Sequence, residues 1–435
     1  MQEGLSFMVE GGKKLAGSVE TARSKNGAVA LLAAALLNEG RTTLERVPKI
    51  EEVNRLVEVL RSIGCSVEWR GHDLAIAPAR VDLSLIDRAA AEKTRSILMF
   101  IGSLIHRFKA FNIPQSGGCT LGLRSVRQHL WALEKFGVRI EAKSDRYHIE
   151  HAELRSAEVV LYEASDTATI NALLAAAKIP GTSVIKYCSA NYQVQEVCGF
   201  LRALGVKIEG LGTPTLTVEG VAKINTPISY SVAEDPTDAM FFIAAAAATK
   251  SAITVAAAPI EFLEVELFVL EKMGLAFSLD NHRVSENGIT RLADLHLMPS
   301  DLTAFPEKIH ARPYPALNID NLPFFAVIAT QAEGTTLIHD WSYEKRAIYY
   351  TELDRLGATT ILHDPHRISI EGPARLKAAE IICPPALRPA TIILVGMLAA
   401  PGRSILRNVY SINRGYEDLV SRLQSLGAAI ESHAG

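Results

Sequence analysis

The chain has 435 residues, too many for one ordinary core, so two domains of roughly 200 residues each are the expectation. Hydrophobic residues make up 48% and charged residues 21%, which excludes a disordered chain. With 45 basic and 48 acidic residues the net charge is −3, so no global basic field recruits nucleic acid, although a local cationic pocket stays open.

From the N-terminus, MQEGLSFMVEGGKKL lacks the apolar core of a signal peptide. The most apolar runs, Phe241–Ala248 and Ile392–Ala400, fall short of the roughly 20 residues that span a bilayer. Cysteines 65, 119, 188, 198 and 383 are scattered and form no CxxC pair. That argues against a disulfide framework or structural zinc and fits a reducing compartment; a cytoplasmic protein is the expectation.

A single pattern then recurs six times: a small-residue apolar helix, a β-rich stretch, an amphipathic helix ending in Gly, and a further strand. Copy one runs NGAVALLAAALLNEG, TTLERVP, IEEVNRLVEVLRSIG-CSVEW (26–69), and copy two (94–141) carries a Gly-rich insert. Copies three to six occupy 167–210, 237–279, 320–362 and 390–432. Val53, Leu56, Val57, Leu60 and Ile63 form the apolar stripe of a helix lying on a sheet. Gly64, Gly137, Gly205, Gly274, Gly357 and Gly427 stand where a left-handed cap would stop that helix. The other helix is small on nearly every face (Ala33–Ala35, Ala175–Ala177, Ala244–Ala248), so it belongs in an interior. The expected fold is α/β, with sheets facing outward around central helices and three units per domain. The hinge falls near Ser229–Asp235; a six-repeat solenoid is the alternative.

Gln115–Arg124 (QSGGCTLGLR) is the sharpest local signal: three glycines make a flexible loop, and Cys119 beside Arg124 has a route to a lowered pKa. Cys119 reads as an acid, base or nucleophile, or else as a small buried residue in a turn. The other four cysteines lie within repeat elements and read as core. Lys25 precedes the first buried helix, either as a phosphate ligand or as a surface charge. Arg95, Arg124, Arg388 and Arg414 hold comparable places in different copies, and their convergence would bind a small anion carrying phosphate and carboxylate. Asp320 follows the Pro-braced Arg312-Pro313-Tyr314-Pro315 and is either a helix N-cap or a base for a substrate hydroxyl. No HExxH, Walker, GxGxxG or EF-hand pattern has a suitable context, so neither metal nor cofactor is expected.

Across residues 7–431 these motifs, above all SKNGAVALLAAALLNEG, SGGCTLGLRSVRQHL, ARPYPALNID and INRGYEDLVSRLQSLGA, resemble the UDP-N-acetylglucosamine enolpyruvyl transferases of peptidoglycan synthesis. They are similar, more distantly, to the enolpyruvylshikimate-phosphate synthases. The resemblance implies a pair of inside-out α/β barrels built from six βαβ-type units, divided as 24–232 and 1–23 plus 233–435, with the site in the cleft between them. It implies phosphoenolpyruvate as donor, held by Lys25, Asn26, Arg95, Arg124, Arg388 and Arg414, with Lys25 also catalytic. Cys119 would protonate the methylene carbon and be the residue fosfomycin attacks, and Asp320 would take the acceptor's proton. Arg124, Ser125, Val126, Arg127, Gln128, Ser165, Asp320, Ser342 and Arg346 would face a sugar-nucleotide or nucleotide acceptor.

The departures cluster on the acceptor side. Arg127 replaces an acid of the family's Arg-Pro-x-Asp-Leu-His, and Glu163 and Asp166 stand where the family has a lysine near the diphosphate followed by Ser-Val-Gly-Ala. Asn318-Ile319-Asp320 replaces Pro-Thr-Asp. Two new acids are expected to repel a diphosphate, so a different acceptor, such as a nucleoside monophosphate or shikimate 3-phosphate, is an alternative. A catalytically silent phosphoenolpyruvate- or nucleotide-binding relative is another.

Overall fold

The computed structural model describes residues 4–78, 80–115 and 126–434; Cys119, Arg124 and Ser125 lie outside them. In chain order its main helices are α1 (Lys25–Ala35), α2 (Glu51–Ser62), α3 (Arg127–Glu134), α4 (Asp166–Ala177) and α5 (Tyr192–Ala203). There follow α6 (Pro236–Thr249), α7 (Glu264–Lys272), α8 (Leu322–Ala329), α9 (Leu387–Ala399) and α10 (Leu419–Ser425).

A helix with no polar face must be surrounded by protein. In α1, α4, α6, α8 and α9 almost every residue is buried, whereas α2 buries one stripe that includes Val53, Leu56, Val57 and Leu60. The six glycines expected to stop the outer helices all have φ between 86° and 95°, a region that costs a glycine no Cβ clash. Two copies depart from the pattern. The first helix of copy two is split into a 3-10 segment, Arg95–Met99, and a short helix, Phe100–Leu104. At Gly102 a Cβ would lie 2.5 Å from the carbonyl of Asn171, so the backbones of two buried helices meet there directly. The second helix of copy five is a 3-10 helix, Arg346–Leu356, whose Arg346 and Tyr350 both turn inward onto Asp340.

Among the described residues the strands pair into six small sheets. Five repeat one plan, an antiparallel three-stranded core with parallel pairing on one edge, supplied in copy five by two short strands, Leu302–Thr303 and Ile309–His310: Ile228–Ser231, for example, runs parallel to Thr42–Glu45, followed by Asp73–Ala77 and Ser66–Arg70. Among the described residues the sheet of copy two has no parallel strand. The α/β class is as expected, but pairing stays within each sheet, and no strand pairing closes a barrel among the described residues.

Buried side chains form two clusters, one from Ala28 to Val232 and one from Phe7–Val19 together with Ala239–Ile430. The N-terminal strands belong to the second. Leu5–Gly11 lies between Gly402–Arg407 and Ala429–Ala434, and Ala16–Glu20 runs parallel to Ala252–Ala258. The chain passes between the clusters twice, at neighbouring places. Ser24 N donates to the Ala233 carbonyl (2.7 Å), Asp235 N donates to that of Ala22 (2.8 Å), and Arg23 pairs with Glu234 (2.6 Å).

Candidate active site

The two passages deliver two helix N-termini to one place. Ser24 caps α1, accepting from Gly27 N (2.8 Å), so Lys25 and Asn26 open the helix. Asp235 caps α6 through Thr237 N (2.8 Å), with Pro236 in the first turn, and its other oxygen accepts from Lys25 N (3.1 Å). One carboxylate therefore fixes both starts. Burial raises the pKa of Asp235, partly offset by Arg388.

Lys25 and Asn26 line a cavity of about 650 Å³, together with Glu52, Arg95, Asp320, Arg388 and Arg414. Lys25 Nζ donates to Asn26 Oδ1 (3.2 Å), and Asn26 Nδ2 to Tyr192 Oη (2.9 Å). Arg388 reaches Tyr416 Oη (3.1 Å) and Asp320 Oδ2 (3.5 Å). Arg414 Nε lies 3.5 Å from Glu52 Oε2, while Thr94 and Ser96 donate to Glu52 Oε1 (2.5 and 3.0 Å). The expected convergence of distant basic residues is thus present for Lys25, Arg95, Arg388 and Arg414.

Charge crowding sets the chemistry. Burial lowers the pKa of Lys25; Glu52 opposes this, while Arg414 and Arg388 push it further down. Burial works to raise the pKa of Glu52, but Lys25, Arg414 and the Thr94 and Ser96 hydroxyls outweigh it and hold it low. Arg388 is raised despite burial, because Tyr416, Asp320 and Asp235 face it. Cations pressed together out of water favour an incoming anion with several negative oxygens.

Asp320 does not cap α8. Asn321 occupies the cap position, and Asp320 sits in the preceding turn, its N–H donating to Asn318 Oδ1 (2.9 Å). Gln128, Ser165, Ser342 and Arg346 also line the cavity, whereas Val126 and Arg127 do not, and Arg127 is exposed at the start of α3. The guanidinium of Arg346 is fully buried, clamped by Asp340 (2.5 and 2.9 Å), and donates to the Ile319 carbonyl (2.8 Å), so it braces the Asp320 turn. Cys65, Cys188, Cys198 and Cys383 are buried thiols whose pKa values burial pushes up to about 11 or 12.

Glu163 and Asp166 do face the cavity, but the two acids differ. Asp166 accepts from Ser189 Oγ, from Asn191 Nδ2 (3.2 Å) and from Gln193 Nε2 (2.5 Å), so it organises the entry to α5. Burial raises its pKa to about 6 against these bonds. Glu163 is exposed at the rim. Glu52 and Asp235 escaped the reading of the sequence: an acid in the first turn or at the cap of a helix ordinarily serves the helix's own N–H groups and dipole, and nothing local marks these two as buried against cations.

Behind Lys25, α5 presents Glu196, whose Oε1 accepts from Ala233 N (2.6 Å) and whose Oε2 has no partner. Burial, with Glu234 and Asp235 nearby, raises its pKa to about 8. A raised acid pKa favours the protonated folded form. This contribution is therefore complete below the unfolded value of about 4.3 and is lost as pH rises through about 8. Glu196→Gln is expected to flatten the fall of stability over that window and to be more stable than the parent at pH 8, as denaturant melts at several pH values would show. A parent and variant with parallel pH profiles would contradict it.

The family description of EPSP synthase (3-phosphoshikimate 1-carboxyvinyltransferase) matches residues 9–423. UDP-N-acetylglucosamine 1-carboxyvinyltransferase of Bradyrhizobium diazoefficiens is 34% identical over 430 residues, covering 98% of each chain. The chain belongs to the enolpyruvyl transferase family. The Treponema pallidum UDP-N-acetylglucosamine 1-carboxyvinyltransferase is similar to this transferase at 33% identity over 425 residues, again covering 98% of both. Among solved structures, the enolpyruvyl transferase NikO from Streptomyces tendae superposes on the transferase with a TM-score of 0.87 at 23% identity, covering 100% of both chains. EPSP synthase of Acinetobacter baumannii gives 0.74 at 19%, covering 99% of this chain and 100% of that one. These two likenesses concern the fold. No described helix of the transferase is long and apolar enough to cross a membrane.

Proposed function

We propose that this carboxyvinyl transferase moves the enolpyruvyl group of phosphoenolpyruvate to a hydroxyl of UDP-N-acetylglucosamine or a related nucleotide, releasing phosphate by addition and elimination. The supporting observation is that Lys25, Arg388 and Arg414, with Asp320, line one cavity bordered by residues of both buried clusters, whose division we take as 24–232 against 1–23 plus 233–435. The acceptor oxygen adds to C2 of phosphoenolpyruvate and gives its proton to Asp320, while C3 gains a proton from Cys119. The tetrahedral adduct then loses a C3 proton and its phosphate, and the double bond re-forms on the new ether. Lys25, Arg388 and Arg414 match the donor's phosphate and carboxylate through both steps, with Asn26 and Arg95 beside them; Arg124, outside the described residues, is assigned to the same donor, and fixed charges that need not reorganise supply the electrostatic part of the rate.

A second reading, a different acceptor such as a nucleoside monophosphate, is favoured by Glu163 and Asp166, which place two carboxyl groups on the wall formed by the start of α4. Phosphate release from phosphoenolpyruvate with UDP-N-acetylglucosamine, the common nucleoside monophosphates and shikimate 3-phosphate tests both. Turnover with UDP-N-acetylglucosamine above that with every other acceptor removes the second reading. Turnover with a monophosphate alone removes the first. Release with none of them, joined to a failure to bind phosphoenolpyruvate, removes both.

A further inference from the structure

The turn that carries Asp320 is held from two sides by buried charges. On one side Arg346 donates to the Ile319 carbonyl (2.8 Å). On the other stands Glu266 of α7, buried at 1% exposure. Its Oε1 accepts both the backbone N–H of Asn318 (3.0 Å) and the side-chain amide of Asn321 (2.7 Å). Asn318 in turn accepts the Asp320 N–H through its own Oδ1 (2.9 Å) and, through its carbonyl, the N–H groups of Asn321 (3.0 Å) and Leu322 (3.1 Å). Asparagine at a helix start ordinarily turns its side chain onto the helix's own N–H groups. Asn321 makes no such bond and gives its amide to Glu266 instead, leaving its buried Oδ1 without a partner. The turn has forgone a local cap for a distant carboxylate.

We propose that Glu266 is a positioning residue that fixes the Asp320 carboxylate opposite Arg388 without itself touching substrate. This rests on the reading of Asp320 as the proton acceptor. Burying a carboxyl group in an apolar interior is costly, and here burial lifts its pKa to about 7, with the Asn321 and Asn318 bonds opposing. A methionine of similar length would fill the same space but leave the Asn318 N–H and the Asn321 amide without an acceptor. Displacements on the order of 1 Å at a reacting group cost roughly a hundredfold in rate.

Two variants in the full-length protein test it. Glu266→Met is expected to lower kcat by roughly a hundredfold, with KM for phosphoenolpyruvate unchanged. It is also expected to speed deuterium uptake over the Asn318–Asn321 turn while leaving α1 at the parent's rate. Glu266→Gln keeps the accepting Oε1 and is expected to restore both readouts. A methionine variant with the parent's kcat and the parent's uptake over the turn overturns the proposal. So does a methionine variant whose uptake rises throughout the second cluster together with a failure of glutamine to rescue, which marks Glu266 as a folding residue only. Where no acceptor in the panel turns over, the uptake comparison decides alone. An Asp320→Asn variant of full activity refutes the role given to Asp320, while the uptake result for Glu266 stands or falls separately.

Discussion

Asp340→Ala is expected to lower stability by about 3–5 kcal/mol, the usual cost of removing one partner from a buried ion pair. Asp340 and Arg346 are both fully buried. The carboxylate takes Arg346 Nε (2.5 Å) and Nη2 (2.9 Å) and also the Tyr350 hydroxyl (2.5 Å). Truncation removes the guanidinium's carboxylate partner, leaving it the neutral Ile319 carbonyl and Tyr350 hydroxyl, and takes from that hydroxyl the acceptor of its proton. The Tyr343 ring, 4.4 Å from the guanidinium carbon, offers a cation–π contact on the order of 1–2 kcal/mol, too little to replace the pair. For lobes of this size the loss corresponds to a fall in Tm of roughly 10 °C, measurable by calorimetry or denaturant melts. A loss below about 1 kcal/mol would show that Arg346 finds other partners. Because Arg346 also braces Ile319, activity should fall in the variant even at temperatures where it stays folded.

Asp320→Asn is expected to reduce turnover by roughly 10²–10⁴-fold, the range associated with a positioned general base. Donor affinity should move the other way or stay level. Asp320 lies 3.5 Å from Arg388, and removing its charge leaves the guanidinium more fully available to an anion. Calorimetric titration of phosphoenolpyruvate into the variant, beside phosphate-release kinetics, separates the two quantities. Loss of donor binding in proportion to turnover would mean that Asp320 holds the donor site together and takes no proton.

The sequence and the structure agree best where physical chemistry is local. The alanine-rich helices declare their burial through composition, because no arrangement of Ala33–Ala35 or Ala244–Ala248 offers water a polar face. The six helix-ending glycines declare a positive φ through their place after an apolar stripe. Arg388 and Arg414 became candidates because repetition places equivalent positions near one another, and Lys25 because it stands at the start of the first buried helix. What was illegible depends on docking between distant segments. Glu52 and Glu51 look alike in sequence, yet Glu52 faces Lys25 and Arg414 while Glu51 pairs with Arg55 at the surface. Glu266 lies among the acids of an ordinary amphipathic helix, and its target turn is 52 residues away. The different settings of Glu163 and Asp166 were illegible too, because the donors that meet Asp166, Ser189, Asn191 and Gln193, stand more than 20 residues downstream. Of the expected inside-out α/β barrels the α/β class is present, and barrel closure is not seen among the described residues, since a repeating pattern specifies strands but not whether neighbouring edges meet.

The strand Leu5–Gly11, sandwiched between Gly402–Arg407 and Ala429–Ala434, has a consequence for biogenesis. At ribosomal speeds of about 5–20 residues per second, its partners emerge tens of seconds after it does. During that interval the buried cluster from Ala28 to Val232 has its own segments and is free to consolidate, while Leu5–Gly11 waits as an unpaired strand. The polar and charged side chains of that stretch, among them Ser6, Glu10, Lys13 and Lys14, suit a segment that must stay soluble and unattached until Gly402–Arg407 and Ala429–Ala434 have been made.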